Sequence, residues 1–304
     1  MLLLFTRLGE NPPLQPGVYR TMLRTLEALG APGRDPSKEL DEAELTRLGV
    51  HPDTARAILW RLEQASALDS LLDALDYRGV TVLTRLSPEY PARLRKALGD
   101  RAPMVLYCAG NLNLFHTTCV ALVGSRQLRE PGRQFARRLG LEAARQGFTY
   151  VSGGAAGADT EGYAAASSQG GGAILFLPDS LRARMIQMQE ALSAGKLLLV
   201  SEQGFDEPFT VAAAYSRNRL IHAMGRQVFV AQSDYGSGGT WQGVMENLKH
   251  SWSPVYVCSG EQEDPGTRGL LERGCDAVSM EALKNLRELI AEKASLFDHT
   301  DMGL

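Results

Sequence analysis

Two patterns of apolar and polar residues divide the chain near residue 79. Before that point, apolar residues recur at helical spacing in short segments separated by glycine and proline. The predicted helices are Val18–Leu29, Leu40–Leu48, Asp53–Ala65 and Ala67–Tyr77, with a break at residues 30–33. This pattern predicts a small helical domain over residues 1–78.

Beyond residue 79, short apolar runs alternate with amphipathic helical stretches. The predicted strands are Val80–Leu83, Met104–Cys108, Cys119–Val123, Phe148–Val151, Ala173–Leu177, Leu197–Val200, Gln227–Ala231, Val255–Cys258 and Ala277–Val278. The predicted helices are Pro131–Gln146, Thr160–Gln169, Arg184–Ser193, Thr210–Met224 and Thr240–His250. Nearly continuous apolar strands with intervening helices indicate an α/β fold, a Rossmann-like and mostly parallel sheet with helices on both faces. We expect this domain to span residues 79–296, with a frayed tail at 297–304.

Small polar residues follow three of these strands and precede helices, at the edge where parallel sheets bind ligands. Their backbone N–H groups would be free to bind anions. The predicted ligand-binding residues in these loops are Gly124, Ser125 and Arg126, then Ser152, Gly153, Gly154, Gly157 and Asp159, and finally Ser237, Gly238, Gly239 and Thr240. We interpret Asp159 as a helix N-cap rather than as an acid catalyst.

A fourth segment, Ser216–Ile221, places Arg217, Asn218 and Arg219 inside a predicted helix. Guanidinium groups match phosphate geometry. Two residues apart on a helix, the arginines point in different directions. We expect Arg217 to face the ligand and Arg219 to pair with an acid such as Glu202. Together the four segments indicate a phosphate-rich ligand, either a nucleotide or a nucleic-acid backbone.

Composition modifies this picture only slightly. The net charge of −3 does not indicate a nucleic-acid binder, but its distribution is uneven. Residues 124–150 hold six arginines against two glutamates, and residues 261–304 hold ten acidic residues against five basic ones. The 26 arginines and 6 lysines suit bidentate phosphate contacts, although a GC-rich coding bias would give the same ratio.

No apolar run approaches the roughly 20 residues of a membrane span, and the start lacks the pattern of a signal peptide. We therefore expect a cytoplasmic protein that does not contact the membrane. The cysteines, Cys108, Cys119, Cys258 and Cys275, form no Cys-x-x-Cys pair and are interpreted as free thiols. No metal site and no cofactor are expected.

The order of these motifs resembles the DNA-processing protein A family (DprA, also called Smf), from about Leu83 to Val278. The segment Pro88–Leu94 resembles the Tyr-Pro-x-x-Leu element of that family. The resemblance implies a protein without enzymatic activity that binds and protects single-stranded DNA and helps to load a RecA-type recombinase in transformation or recombination. It also implies a homodimer, for which Val255–Cys258 and Leu270–Leu271 offer an expected apolar edge.

The chain departs from the family pattern in two places. At Leu177–Arg184 the usual Gly-x-Gly-x-Asp loop is rebuilt, and Asp179 is its one plausible match. The sequence also leaves no room after Leu296 for the C-terminal winged-helix domain of longer members. Within the helical domain, Leu45–Ile58 vaguely resembles a helix-hairpin-helix, but His51 replaces the second turn glycine, so a plain helical (SAM-like) packing module is favoured.

The alternative function is a nucleotide-binding or nucleotide-processing protein of the Lonely Guy-like superfamily. Its phosphoribohydrolases carry Gly-Gly-x-Gly-Thr-x-x-Glu, which Gly236–Gly243 resembles. Here Gly243 stands where that motif has its glutamate, so hydrolysis lacks its acid/base group.

Overall fold

The computed structural model describes residues 1–28, 41–260 and 264–290. Its contacts divide the chain into two compact units, residues 1–90 with 100–107, and residues 91–99 with 108 onward. The predicted break at residues 30–33 and the predicted tail at 297–304 lie outside the described residues. The predicted domain boundary at 78/79 stays a prediction about independent folding.

The first unit is mainly helical, and strand β1 packs against its last helix. Its elements are α1 (Leu2–Phe5), α2 (Pro16–Ala28), α3 (Glu42–Arg47), α4 (Pro52–Leu62), α5 (Ala65–Asp76) and β1 (Val80–Thr84). Helix α4 begins at a proline, which needs no N–H donor there, and Nδ1 of His51 accepts a hydrogen bond from the Asp53 N–H at 3.3 Å. His51 thus acts as a helix cap, which suits a plain packing module. The core of this unit includes Leu45, Ala55 and Ile58.

The second unit alternates strands and helices as predicted. After α6 (Ala92–Leu98) and β2 (Val105–Gly110), whose last three residues belong to this unit, the strands are β3 (Cys119–Val123), β4 (Thr149–Ser152), β5 (Ala173–Leu177), β6 (Leu197–Ser201), β7 (Gln227–Val230), β8 (Val255–Cys258) and β9 (Asp276–Val278). The helices between them are α7 (Glu130–Arg145), α8 (Ala158–Ser168), α9 (Leu181–Gln187), α10 (Gln189–Ser193), α11 (Val211–Met224), α12 (Gly238–His250) and α13 (Pro265–Leu271).

Strands β3 to β9 are parallel and lie in the order β6-β5-β4-β3-β7-β8-β9. The chain winds outward from β3 to β6 and then returns to the other side of β3 with β7. The register pairs Val123 with Val230 and Leu177 with Ser201, so these strands end at one edge. The predicted Rossmann-like α/β fold is confirmed, and the reversal between β3 and β7 is a topological switch point, where such sheets bind ligands.

Helices cover both faces of the sheet, so most strand residues are buried. Helices α7 and α8 pack against each other and against β3 and β4, whereas α11 contacts β3 to β5 and also packs against α12. The α7–α8 contact depends on glycine, because a Cβ at Gly140 would lie 2.1 Å from the carbonyl oxygen of Gly162. Backbone contact this close admits no side chain.

Three details differ from the sequence prediction. The predicted helix Arg184–Ser193 is two helices, α9 and α10, which are separated at Met188 by a non-helical backbone angle of φ −116° and ψ 23°. Helices α1, α6 and α13 were not predicted. The expected apolar edge is also wrong, since Val255, Tyr256, Val257 and Leu270 are buried within the chain. Their burial follows from β9 and α13, which both pack against β8.

Replacing Gly140 with alanine tests the α7–α8 contact. Alanine normally favours a helix by about 1 kcal/mol over glycine, but here overpacking should reverse the sign and lower the free energy of unfolding by about 1–3 kcal/mol. Urea denaturation measures the difference. Gly260→Ala is the matched control, because a Cβ there meets no atom within 4 Å and should leave stability nearly unchanged. Equal stability of the Gly140 variant and the wild type would contradict the proposed contact.

Candidate functional site

A cleft of about 880 Å³ opens at the carboxyl edge of the sheet, at the switch point between β3 and β7. Four segments that are distant in sequence line it: the loop after β3, the start of α8, helix α11 with the residues preceding it, and the loop that leads into α12. The predicted site residues in its lining are Gly124, Ser125, Arg126, Asp159, Arg217, Asn218, Ser237, Gly238, Gly239 and Thr240. The remaining ones, Ser152, Gly153, Gly154, Gly157 and Arg219, lie behind this lining. Whether any of them contacts a ligand stays a prediction.

The loop after β3 is fixed by contacts with its neighbours. The Ser125 N–H donates to the carbonyl of Gln232 at 2.9 Å, and its own carbonyl accepts the Ala158 N–H at 3.2 Å. Gly157 has φ +84°, and a Cβ there would lie 2.4 Å from the carbonyl oxygen of Ser125. Only glycine suits both the backbone angle and this approach. The loops after β3, β4 and β7 therefore hold one another in place.

Asp159 organises the loop after β4, in a different role from the predicted one. Helix α8 starts at Ala158 and its N-cap is Gly157, so Asp159 is not the N-cap. Its Oδ2 instead accepts hydrogen bonds from the N–H groups of Gly153 and Ala155, both at 3.1 Å. Burial raises the pKa of this carboxyl, and the nearby Arg217 and the two N–H groups oppose that rise. The carboxylate turns back onto its own loop because Gly153 and Gly154 let the backbone curl around it.

The two arginines of α11 do diverge. Arg219 binds Glu202 through both guanidinium nitrogens, at 2.8 and 2.5 Å, so the expected pairing is confirmed. Arg217 reaches the cleft but is only 5% exposed. Its Nη1 donates to the carbonyl of Phe176 at 3.2 Å and lies 4.0 Å from Oδ2 of Asp159. Burial lowers the pKa of this guanidinium. Arg217 is thus mainly a buried support of the cleft, with one edge available to a ligand.

Arg217 occupies its position because Gly153 has no side chain. A Cβ at Gly153 would lie 1.1 Å from Nη1 of Arg217, so the guanidinium fills the space of the missing side chain. This explains a glycine that sequence analysis assigned to a phosphate-binding turn. The sequence held the signal, an arginine helix and a Gly-Gly loop, but not their contact.

The start of α12 forms another wall of the cleft. Its N-cap, Ser237, makes no side-chain cap, so the first backbone N–H groups of the helix keep their capacity to bind an anion. Asn218 fixes this helix end, because its Nδ2 donates to the carbonyl of Gly239 at 3.2 Å. Gly243 faces the ring of His222, and a Cβ there would lie 2.9 Å from Nε2.

The basic segment after β3 is less basic than its composition indicates. Arg129 pairs with Asp264 at 2.6 Å, Arg133 and Arg137 pair with Glu161, and Arg138 and Arg145 pair with Glu142. Arg126, which is exposed at the cleft, makes no ion pair with the described residues. The positive charge offered to a ligand is therefore concentrated at this one arginine of the segment.

Sequence analysis missed an aromatic and apolar wall of the cleft. Phe209, Val211 and Tyr215 line it and are 47%, 64% and 45% exposed. Large apolar residues with this exposure commonly mark interaction sites when they cluster. The signal was present in the sequence, since Phe209 and Val211 directly precede the arginine helix, but nothing in the local pattern separates them from core residues.

The described residues show few features of a cofactor or membrane protein. Within them, no group of three or more His, Cys, Asp or Glu side chains is placed to hold a metal ion. None of the described helices combines the length and apolar character that a bilayer crossing requires. The chemistry on offer is a cationic and N–H-rich wall facing an aromatic one.

Comparison with known proteins relates this fold to proteins that process DNA. The chain is 28% identical over 184 residues to DNA processing protein DprA of Streptococcus pneumoniae, and 29% identical over 196 residues to protein Smf of Escherichia coli. These alignments cover 59% and 61% of this chain. The chain spans 64% and 51% of the length of those relatives.

Solved structures agree. The fold matches the X-ray structure of DprA from Streptococcus pneumoniae with a TM-score of 0.70 and 23% identity, over 90% of this chain and 93% of that one. It also matches DprA of Helicobacter pylori, studied for its mode of binding single-stranded DNA, with a TM-score of 0.58 and 27% identity, over 70% of this chain and 96% of that one.

The family profile decides the classification. The family described as DNA recombination-mediator protein A matches residues 81–293, which include every strand from β3 to β9 and every segment that lines the cleft. The chain belongs to the DNA recombination-mediator protein A family.

Proposed function

We propose that this protein binds single-stranded DNA in the cleft between β3 and β7. The observation that carries the proposal is the pairing of two unlike walls. Arg126 and the start of α12 offer charge and backbone N–H groups, and Phe209 and Tyr215 face the same space. Proteins that bind single strands without reading sequence combine cationic grooves for phosphates with aromatic side chains on which bases stack.

The strand-binding proposal includes a role in recombination. The family is described as a recombination mediator, and the H. pylori relative binds single-stranded DNA. By this likeness the protein would protect the strand and help to load a RecA-type recombinase during transformation or recombination.

A non-enzymatic role fits the site better than the nucleotide-processing alternative. A phosphoribohydrolase needs a carboxylate at position 243, and there a glycine lies against His222. Glu202 is held by both nitrogens of Arg219, and Asp159 is buried under two N–H groups of its own loop. Neither carboxylate is placed as an acid/base group for a ligand in the cleft.

The strand-binding proposal is tested by titration with single- and double-stranded oligonucleotides across a salt series. Single strands should bind more tightly, because bases must be unpaired to stack on an aromatic wall. With three or four phosphate contacts, affinity should fall roughly thirtyfold between about 50 and 200 mM salt. Equal affinity for duplex, or no binding at low salt, would contradict the proposal.

Replacing Arg126 with alanine should weaken strand binding by about 1.5–3 kcal/mol, the range of charged hydrogen bonds. The melting temperature should stay nearly unchanged, because the side chain is exposed and makes no ion pair with the described residues. Arg145→Ala is the control: it removes the same charge from the far end of α7, where the side chain is 65% exposed. An Arg126 variant that binds normally, or one that unfolds, would refute the assigned role.

The protein should release no free base from nucleoside monophosphates above the uncatalysed background. Chromatographic detection of free base measures this directly. Turnover that disappears in Glu202→Gln would overturn the binding proposal and identify a replacement for the missing carboxylate.

We also propose a homodimer, which the family resemblance supports. Strand β9 ends the strand order, and the nearby Met280 is 41% exposed. A sheet edge of this kind is commonly covered by a partner. Light scattering at micromolar concentration should give about twice the chain mass of 33.1 kDa. A monomer at that concentration would refute the proposal.

A further inference from the structure

His222 lies at the floor of the cleft and has no role in the contacts described so far. It follows Arg219 by three positions on α11 and is 1% exposed, yet it belongs to the residues that line the cleft. Neither of its ring nitrogens has a hydrogen-bond partner among the described residues. Buried polar atoms almost always have partners, so two unpaired nitrogens on one side chain need an explanation.

The imidazole is neutral, which defines what it can bind. Burial lowers the pKa of His222 to about 3, so the ring carries no charge near neutral pH. A neutral imidazole has one N–H donor and one acceptor nitrogen. Its partner must therefore offer an acceptor, a donor or both.

The neighbouring helix makes room for the ring. Gly243 is buried on α12, and a Cβ there would lie 2.9 Å from Nε2 of His222. Alanine is the better helix former, so a glycine in the interior of α12 disfavours the helix by up to about 1 kcal/mol. The pair of a histidine that lacks hydrogen bonds and a glycine that weakens a helix serves the core poorly. Both features are consistent with a ring kept for a ligand.

The surroundings favour a nucleobase over a phosphate as that ligand. A phosphate diester oxygen only accepts hydrogen bonds, so it would leave the acceptor nitrogen of the ring unpaired. The polar edge of a base carries donors and acceptors side by side. The cleft also has apolar surface beside the floor, from Val123 and Ile221, and aromatic surface at Phe209 and Tyr215, which suit the flat faces of a base.

We propose that the floor of the cleft takes one base of the bound strand and that His222 hydrogen-bonds to the polar edge of that base. This inference rests on the proposed binding of single-stranded DNA and adds a base-selective subsite to it. Arg126 and the start of α12 hold the backbone, while His222 makes affinity depend on base identity. The lack of a Cβ at Gly243 gives the ring room to turn toward the base.

The test compares His222→Leu and His222→Asn with the wild type by fluorescence anisotropy. The probes are equal-length oligo(dT), oligo(dC), oligo(dA) and an oligonucleotide of abasic residues with the same number of phosphates. The wild type should bind the homopolymers with affinities that differ about three- to tenfold, the effect of one hydrogen bond. His222→Leu should bind all three equally, and His222→Asn should retain or alter the preference, because its amide still donates and accepts.

Two further variants separate a functional role from a structural one. His116→Leu is the matched control, since it removes an exposed histidine elsewhere in the same unit and should leave the base preference unchanged. Gly243→Ala should abolish the preference by displacing the ring. The melting temperature of His222→Leu should equal or exceed that of the wild type, because an apolar group replaces two unpaired polar atoms.

The outcomes distinguish this inference from the function on which it rests. Wild-type protein that binds the abasic strand and every homopolymer equally, with a normal salt dependence, would refute the base subsite but keep strand binding. A preference that survives in His222→Leu would also refute it, and would indicate that the ring only packs or holds a water. Loss of all binding in the wild type would instead refute the proposed function.

Discussion

The buried guanidinium of Arg217 is the interaction on which the cleft depends. A charged group this far from water is tolerated only where carbonyl oxygens and an opposite charge surround it. Arg217 has the carbonyl of Phe176, the carboxylate of Asp159 at 4.0 Å, and the space above Gly153. Asp159 in turn binds two N–H groups of the loop after β4. One side chain thus connects α11 to the ends of two strands, and loss of either charge would leave the other buried without compensation.

The same principle explains why an overall acidic protein offers a cationic site. Most arginines beside the cleft are already paired, as Arg219 is with Glu202 and Arg129 is with Asp264. Paired arginines set the shape of the walls and contribute little net field to a ligand. Arg126 lies in the cleft without such a pair among the described residues, so the useful charge is local, and neither net charge nor the balance of a segment reveals it.

Helix α13 shows how an element outside the cleft positions its loops. Asp264 caps this helix by accepting the Thr267 N–H at 2.8 Å and also binds Arg129 of the loop after β3. The backbone of Gly266 lies so close to Ser233 that a Cβ would come within 1.8 Å of its carbonyl oxygen. At the other end, Arg273 lies over the ring of Trp241 at 4.9 Å. The loops after β3 and β7 therefore share one support, and the space between them keeps a defined width.

Local sequence determined the alternation of strands and helices, because apolar runs bounded by glycine and proline state their own secondary structure. It also located the polar loops at strand ends and separated the directions of Arg217 and Arg219, since helical geometry fixes residues two positions apart. The order of motifs along the chain identified the family correctly, because order is a property of sequence alone.

Tertiary structure decided what each of those residues does. Asp159 looked like a helix cap and instead holds its own loop, since Gly157 took the cap position and the preceding glycines let the chain fold back. Val255–Val257 looked like an open edge and became core when β9 paired with β8. Phe209, Tyr215 and His222 carried no recognisable motif, and they meet in one cleft only because α11 returns across the sheet. Sequence determines which chemical groups are available, but contacts between residues a hundred positions apart decide which of them remain unpaired and accessible to a ligand.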